Sequence, residues 1–288
     1  MTFTEKSKAK VAPGTLTQKY VWSFIAGCVL IDIFLSNFLV KLIKLFPADT
    51  KNLSYMIDIL PRAVSGIFFV VLAIYLGLLS KKDFGSKGFG KGLLFGIPYL
   101  LFPAFVGNAI TLLVSGRLRD DTTFLTICLF SLSYLMIGFV EEVIFRGVIF
   151  NALKNKYGDS GQGLFGAVLL SSAVFGLSHF MNFIYGAPLA PTLMQVLTTA
   201  LTGVLLCAIY IRSGNLLAVI VFHALIDLIL NFKGILTLTD IPVPTQTEPP
   251  ELSILIGAAV FSIVIEVIFV LYGLFLIRKQ LKKKKEIL

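Results

Sequence analysis

The sequence predicts an all-α protein: a polytopic transmembrane helical bundle of about eight spans, with both termini in the cytoplasm. Composition is the first reason, because 57% of the 288 residues are hydrophobic and only 14% are charged, whereas soluble domains carry about 25% charged residues. The second is that the apolar residues form continuous runs of about 20 residues, long enough for a membrane-spanning helix. These runs lack the alternation over about ten residues that marks a transmembrane β-strand. The composition excludes a soluble enzyme, a disordered protein and a water-exposed nucleic-acid-binding protein.

Eight apolar runs are candidate spans, and we take them in chain order. The first is too long for the apolar region of a signal peptide, so we expect it to be retained. The fourth is long enough to tilt or break, and the seventh is short and contains polar residues. The approximate bounds of the eight runs are 20–43, 59–80, 92–115, 122–153, 163–185, 192–211, 215–231 and 252–277.

The distribution of Lys and Arg predicts the orientation of these spans. Most basic residues outside the spans lie on the side that carries both chain ends, which the positive-inside rule places in the cytoplasm. We therefore divide the chain into a basic cytoplasmic N-terminal segment 1–19, a membrane domain 20–277 and a basic cytoplasmic tail 278–288. The net charge of +9 follows mainly from this topology, so we expect no nucleic-acid partner. The lysine cluster 282–285 is expected to contact anionic lipid headgroups.

Ionisable residues within the predicted spans are few and are concentrated in one part of the chain. Such residues are costly in a bilayer and are functional candidates by default. Both histidines of the chain are among them. The candidates are Asp32, Arg62, Glu141, Glu142, Arg146, His179, His223, Asp227 and Glu266. We interpret Asp32 and Glu266 as structural groups, and Arg62, near a predicted span end, as a snorkelling side chain.

The spacing of the clustered residues indicates which of them interact. Glu142 and Arg146 are four residues apart, so they share a helix face and can form an ion pair. Glu141 then points elsewhere and is available as a general acid or base. His223 and Asp227 are also one turn apart. Asp227 can fix the tautomer of His223, or both can face one polar site.

Two chemistries are open to carboxylates and histidines that converge from separate helices. Such a set can activate water as a general base. Alternatively, two histidines and a carboxylate can hold a catalytic metal such as Zn²⁺. The span limits place Glu141 toward the cytoplasmic half and His179 nearer the outside, so a shared site requires a tilt or a break in the fourth span.

Residues 122–231 resemble the CAAX-protease and bacteriocin-processing family (CPBP, or Abi) of intramembrane proteases. Three motifs carry the resemblance in the same order on successive spans: EExxxR, FxxxH, and HxxxN or HxxxD. Their residues in this sequence are Glu141, Glu142, Arg146, Phe175, His179, His223 and Asp227. The resemblance implies an intramembrane endopeptidase whose substrate is a membrane-associated peptide or protein, with its catalytic core within 122–231.

The resemblance also implies a role for each catalytic residue. Glu141 and His179 would activate the attacking water. His223 and the residue at position 227 would stabilise the oxyanion of the tetrahedral intermediate. The remaining motif residues would support the site, and these are Glu142, Arg146 and Phe175.

Position 227 departs from one branch of the family. The prenylated-protein endopeptidases have Asn there, whereas many bacterial relatives have Asp. An ionised Asp cannot donate to an oxyanion, so Asp227 must be protonated, orient His223 or bind a metal. The departure favours a bacterial cell-membrane protein with substrates that are not prenylated. If a metal is used, Glu141, His179 and His223 are the expected ligands.

Two other functions are compatible with the same residues. A protein of this fold can act without proteolysis, as a membrane binding or immunity protein or as a signalling scaffold. Intramembrane carboxylates and histidines can also relay protons in a transporter. Paired broken helices, the usual signature of a transporter site, are not evident in the sequence.

Overall fold

The computed structural model describes residues 17–45, 50–101, 117–118, 120, 122–158, 161–237 and 252–287. Helices dominate these residues. The α-helices are α1 Val21–Ile43, α2 Thr50–Tyr75, α3 Phe89–Tyr99, α4 Phe124–Glu142, α5 Asn151–Tyr157, α6 Gly161–Ser178, α7 Met181–Ile184, α8 Leu189–Ser213, α9 Leu216–Asn231 and α10 Leu252–Ile287. A π-helix, Val143–Phe150, joins α4 to α5, and Lys81–Phe84 and Phe232–Ile235 are 3₁₀-helices. Two short strands, β1 Arg117–Leu118 and β2 Leu236–Thr237, pair antiparallel.

The predicted class, a helical membrane protein, is confirmed. Within the described residues, six helices are long and apolar enough to cross a membrane: Val21–Ile43, Leu53–Tyr75, Phe124–Tyr157, Gly161–Ile184, Leu189–Ser213 and Ile256–Lys282. The predicted seventh span is the shorter apolar helix α9. The predicted third span begins on α3, and its residues 102–115 lie outside the described part of the chain. The count therefore agrees roughly with eight, and the cytoplasmic position of the termini stays a prediction.

The fourth span, which we predicted to tilt or break, changes from α-helix to π-helix near its middle. It runs as α4, the π-helix and α5, and every residue of the π-helix is buried. Thr123 caps the start of α4 by accepting a hydrogen bond from the Thr126 backbone amide. Short π-helical stretches inside α-helices are frequent at functional sites. This one begins directly after Glu142 and contains Arg146.

Small residues let the helices that carry the motifs approach closely. α4 packs against α2 and α9, whereas α8 packs against α6 and α10. A Cβ atom on Gly138 of α4 would lie 2.8 Å from the Ile220 carbonyl oxygen of α9. A Cβ on Gly176 of α6 would collide with the Val196 carbonyl oxygen of α8. Glycine at these contacts permits the close helix packing that is common in membrane proteins.

The last helix extends beyond the predicted span. α10 continues to Ile287, so much of the predicted basic tail prolongs the helix. Arg212, at the end of α8, donates a hydrogen bond to Oε1 of Gln280 at 2.7 Å. This contact joins the ends of the two helices on the side that the sequence assigns to the cytoplasm. The predicted segment 1–19 lies mostly outside the described residues.

Candidate active site

The motif residues of three helices meet around one cavity of about 580 Å³. Glu141 lies at the end of α4, close to the midpoint of the long span Phe124–Tyr157. It is therefore deeper than the sequence limits suggested. Glu141 and His179 line the same cavity, so the difference in height predicted from the span limits does not separate them. The motif residues that line the cavity are Glu141, Phe175, His179, His223 and Asp227.

Glu142 and Arg146 form the ion pair that their spacing predicts. Arg146 Nη1 donates to Glu142 Oε1 at 2.9 Å, and both side chains are fully buried. The Arg146 guanidinium carbon lies 4.2 Å from the centre of the Phe175 ring, a cation–π contact. Arg146 also lies 3.4 Å from the Gly203 carbonyl oxygen of α8. The guanidinium thus fixes Glu142 against two further helices.

Glu142 also orients His223 of the third motif. The Nδ1 atom of His223 lies 2.6 Å from Glu142 Oε1. A carboxylate only accepts, so Nδ1 is the donor in this hydrogen bond. The other ring nitrogen, Nε2, is 3.7 Å from Glu141 and 3.6 Å from Asp227. The hydrogen bond that fixes the tautomer of His223 is therefore the one donated to Glu142, whereas Asp227, at 3.6 Å from Nε2, lies beyond hydrogen-bonding distance of the ring.

His179 is oriented by its own helix. Its Nδ1 lies 3.1 Å from the Phe175 carbonyl oxygen. A carbonyl oxygen can only accept, so Nδ1 donates and Nε2 is the nitrogen that can take up a proton. The Phe175 ring packs edge-on against both His179 and His223, at 5.2 and 5.9 Å between ring centres. One aromatic side chain thus spaces the two imidazoles.

Glu141 is the less constrained of the two adjacent glutamates. About a quarter of its side chain is exposed, whereas Glu142 is fully buried. Among the described residues Glu141 makes no hydrogen bond, and its shortest polar contact is the 3.7 Å approach to His223. A carboxylate that faces a cavity without a fixed partner is suited to proton transfer.

The part of the chain that carries this site is similar to a known protein family. Residues 122–229 match the family model described as type II CAAX prenyl endopeptidase Rce1-like. The predicted resemblance to the CAAX-protease family is confirmed over these residues. The matched segment, here called the CAAX-protease core after this family model, contains all seven motif residues. No curated protein and no solved structure matches the chain.

A second cavity of about 310 Å³ adjoins the CAAX-protease core on the side of α1 and α2. Residues of α1 and α2 form much of its wall, together with residues of the core. The four residues that line both cavities are Arg62, Glu141, His179 and Asn182. Sequence reasoning did not place Arg62 at the site, because the predicted span 59–80 set it near a helix end. The observed span Leu53–Tyr75 places it well inside the helix.

The two acidic residues interpreted as structural are hydrogen-bonded. Ser65 donates to Asp32 at 2.5 Å, at the wall of the smaller cavity. Glu266 accepts from Tyr99 at 2.6 Å and from Thr202 at 2.9 Å, and it lines the larger cavity. Sequence spacing could have indicated the polar wall beside Glu266, since Thr198, Thr199 and Thr202 fall on one face of α8.

The expected metal ligands do not form a metal site in this geometry. Among the described residues, no group of three or more His, Cys, Asp and Glu side chains is placed to hold a metal ion. A catalytic zinc site requires three protein ligands. His223 turns its Nδ1 to Glu142, and its Nε2 is 3.7 Å from Glu141. In this geometry the described side chains offer acid–base groups, and the use of a metal stays a prediction.

Proposed function

We propose that the protein is an intramembrane endopeptidase that hydrolyses a peptide bond in a membrane-associated peptide or protein. The observation that carries the proposal is the meeting of Glu141, His179, His223 and Asp227 around one cavity between membrane helices. Both imidazoles have Nδ1 committed to a hydrogen bond. Each therefore has Nε2 available for the reaction, that of His179 for the attacking water and that of His223 for the oxyanion.

In the proposed reaction, water attacks the carbonyl carbon of the scissile bond. Glu141 takes the proton from the water, with His179 Nε2 holding the water in place. A carbon–oxygen bond forms and the carbonyl oxygen becomes an oxyanion. The carbon–nitrogen bond then breaks, and the proton passes from Glu141 to the leaving amine nitrogen. Glutamate thus acts as base in the first step and as acid in the second.

His223 is the proposed oxyanion donor. Because Nδ1 already donates to Glu142, Nε2 donates only when the ring is an imidazolium. Three carboxylates surround this ring, from Glu142 at 2.6 Å, Asp227 at 3.6 Å and Glu141 at 3.7 Å. They supply the counter-charge that an imidazolium needs. Asp227 is then a positioning residue for His223 and does not itself donate to the oxyanion.

The location and partners belong to the same proposal. We place the protein in a bacterial cell membrane, because the last motif ends in Asp227 and not in Asn. The substrate is a membrane-associated peptide or protein without a prenyl group. The basic end of α10 lies on anionic lipid headgroups. No step of the mechanism uses a metal.

The test compares peptide termini in the membranes of three strains that express the wild-type protein, E141A or E286Q. E286Q is a matched control, since Glu286 is exposed at the far end of α10. The proposal expects termini that are present with wild type and E286Q and absent with E141A. If no termini change while deletion of the whole protein alters immunity or signalling, the non-proteolytic scaffold function replaces this proposal.

A further inference from the structure

Arg62 lies outside the CAAX-protease core but beside its acid–base residues. It belongs to α2, whereas the family match begins at residue 122. Arg62 lines both cavities, as do Glu141, His179 and Asn182. Among the described residues, Arg62 is the one Lys or Arg side chain in the wall of either cavity. This position gives it access to a substrate held at the catalytic groups.

The guanidinium of Arg62 is held from one side only. Its Nη1 donates to the Asp58 backbone oxygen at 2.6 Å and to Asp58 Oδ1 at 2.8 Å. Asp58 is one turn earlier on the same helix face, so this contact fixes the side chain without another helix. The Nε and Nη2 atoms make no hydrogen bond with any described residue, and 32% of the side chain is exposed.

The unused edge has the geometry of an anion site. Nε–H and Nη2–H of a guanidinium point in parallel, and this pair of donors matches the two oxygens of a carboxylate. The anchor on Nη1 reduces the conformational entropy that such binding would cost, because the side chain is already ordered. Arg62 therefore carries a preformed fork, and its side chain lines both cavities.

The charges around Arg62 restrict where an anion can bind. The other charged groups in the cavity walls, apart from the two histidines, are carboxylates: Asp32, Asp58, Glu141, Asp227 and Glu266. A substrate carboxylate is repelled by these groups at low dielectric. In the walls of the two cavities, Arg62 is the one described cation other than an imidazolium that a substrate carboxylate can contact. Binding there would set both the direction and the register of the peptide.

We propose that Arg62 binds a carboxylate of the substrate and thereby positions the scissile bond at Glu141 and His179. The carboxylate is either the C-terminal group of the peptide or an acidic side chain, since the fork recognises both alike. Arg62 is a specificity-determining residue in this proposal. The inference rests on the proposed proteolytic function.

The experiment digests a membrane-proteome peptide library with the purified protein and identifies cleaved peptides by mass spectrometry. The library is made with free C-termini and, in parallel, with amidated C-termini. For the best-cleaved peptides, versions with each acidic residue changed to its amide are then compared. The variants are R62Q, which removes the charge, and R62K, which keeps the charge but loses the fork. R212Q is the matched control, because Arg212 bonds Gln280 and lines neither cavity.

We expect wild type and R212Q to prefer one carboxylate form over its amide by about tenfold in kcat/KM, mainly through KM, as a charge-assisted hydrogen-bond pair would give. R62Q should lose this preference by cleaving the carboxylate form more slowly while cleaving the amide form as wild type does. R62K should keep part of the preference. A loss of the preference in the amidated library identifies the C-terminal carboxylate as the recognised group. A loss on changing an acidic side chain to its amide identifies that side chain instead.

Two results would overturn the inference in different ways. If wild type cleaves peptides but does not distinguish acid from amide, or if R62Q slows both forms equally, Arg62 has no role in carboxylate binding although the protein is a protease. If wild type cleaves no peptide in either library, the proposed function fails and the inference fails with it. Thermal unfolding of R62Q and R62K separates a loss of selectivity from a loss of folded protein.

Discussion

His223 on α9 donates a hydrogen bond from Nδ1 to Oε1 of Glu142 on α4, over 2.6 Å. The same oxygen accepts from Arg146. Glu142 is fully buried and the His223 side chain is nearly so. One carboxylate oxygen thus connects the EExxxR motif to the HxxxD motif, and the second glutamate of the pair becomes the structural centre of the site.

Replacing Glu142 with Gln should destabilise the protein and abolish most activity. The change leaves the buried guanidinium of Arg146 without its counter-charge, and breaking a buried pair typically costs about 3–5 kcal/mol. It also releases the tautomer of His223, so we expect kcat/KM to fall by about 100-fold or more. Thermal unfolding in detergent and peptide cleavage measure the two effects. E286Q, at an exposed glutamate, should change neither, and an unaltered E142Q would contradict the central position of Glu142.

Asp227 offers a test of its proposed positioning role. D227N keeps a hydrogen-bonding side chain of the same shape beside His223 Nε2, whereas D227A leaves a gap. We expect D227N to retain activity within about tenfold, because Glu141 and Glu142 still supply counter-charge to His223. D227A should lose about 100-fold, because the ring that donates to the oxyanion is no longer held in position. The comparison is of kcat/KM on one peptide. Equal losses in the two variants would show that the charge of Asp227 is itself required.

Gly176 should not tolerate a methyl group. In G176A the new Cβ would collide with the Val196 carbonyl oxygen of α8 and would force α6 outward. Overpacking of this kind costs about 1–3 kcal/mol, and it also moves His179, which follows α6. We expect a lower unfolding temperature and weaker cleavage. G27A is the matched control, because a Cβ on Gly27 of α1 meets nothing within 4 Å; equal effects of the two changes would contradict the close packing described.

Removal of divalent metal should leave hydrolysis intact. Among the described residues no set of three or more His, Cys, Asp and Glu side chains is placed to hold a metal. We therefore expect the purified protein to cleave peptides at an unchanged rate after dialysis against EDTA. Loss of cleavage that added Zn²⁺ restores, with about one zinc per chain by elemental analysis, as a three-ligand catalytic site would bind, would overturn the acid–base mechanism in favour of a metal-assisted one.

The local parts of the site could be predicted from the sequence, whereas the contacts between helices could not. The pairing of Glu142 with Arg146 follows from a four-residue spacing on one helix. The hydrogen bond between Glu142 and His223 joins residues on different helices, and no spacing rule specifies which side chains meet across such a contact. The class of the fold was predictable because a bilayer imposes a fixed helix length.

Hydropathy predicts that a span exists more accurately than it predicts where the span begins and ends. The error in the limits of the second span led to the wrong placement of Arg62 at a helix end. The predicted second span began at residue 59, but the apolar helix runs over Leu53–Tyr75. Polar residues at the start of α2 lower the local hydropathy although the helix already packs there. A shift of six residues moves Arg62 from a snorkelling position at the edge to the wall of both cavities.

The π-helix Val143–Phe150 allows α4 and α5, the two halves of one span, to face different directions around the helix axis. A π-turn holds one residue more than an α-turn, and each residue rotates an α-helix by about 100°. Without the π-helix, the inward-packing face of α5 would turn away from its neighbours whenever Glu141 faced the cavity. A deletion of one residue within 143–150 would therefore rotate α5 relative to α4 by about 100° about the helix axis, rather than remove particular contacts. The protein could then place Glu141 at the cavity or bury the inner face of α5, but not both.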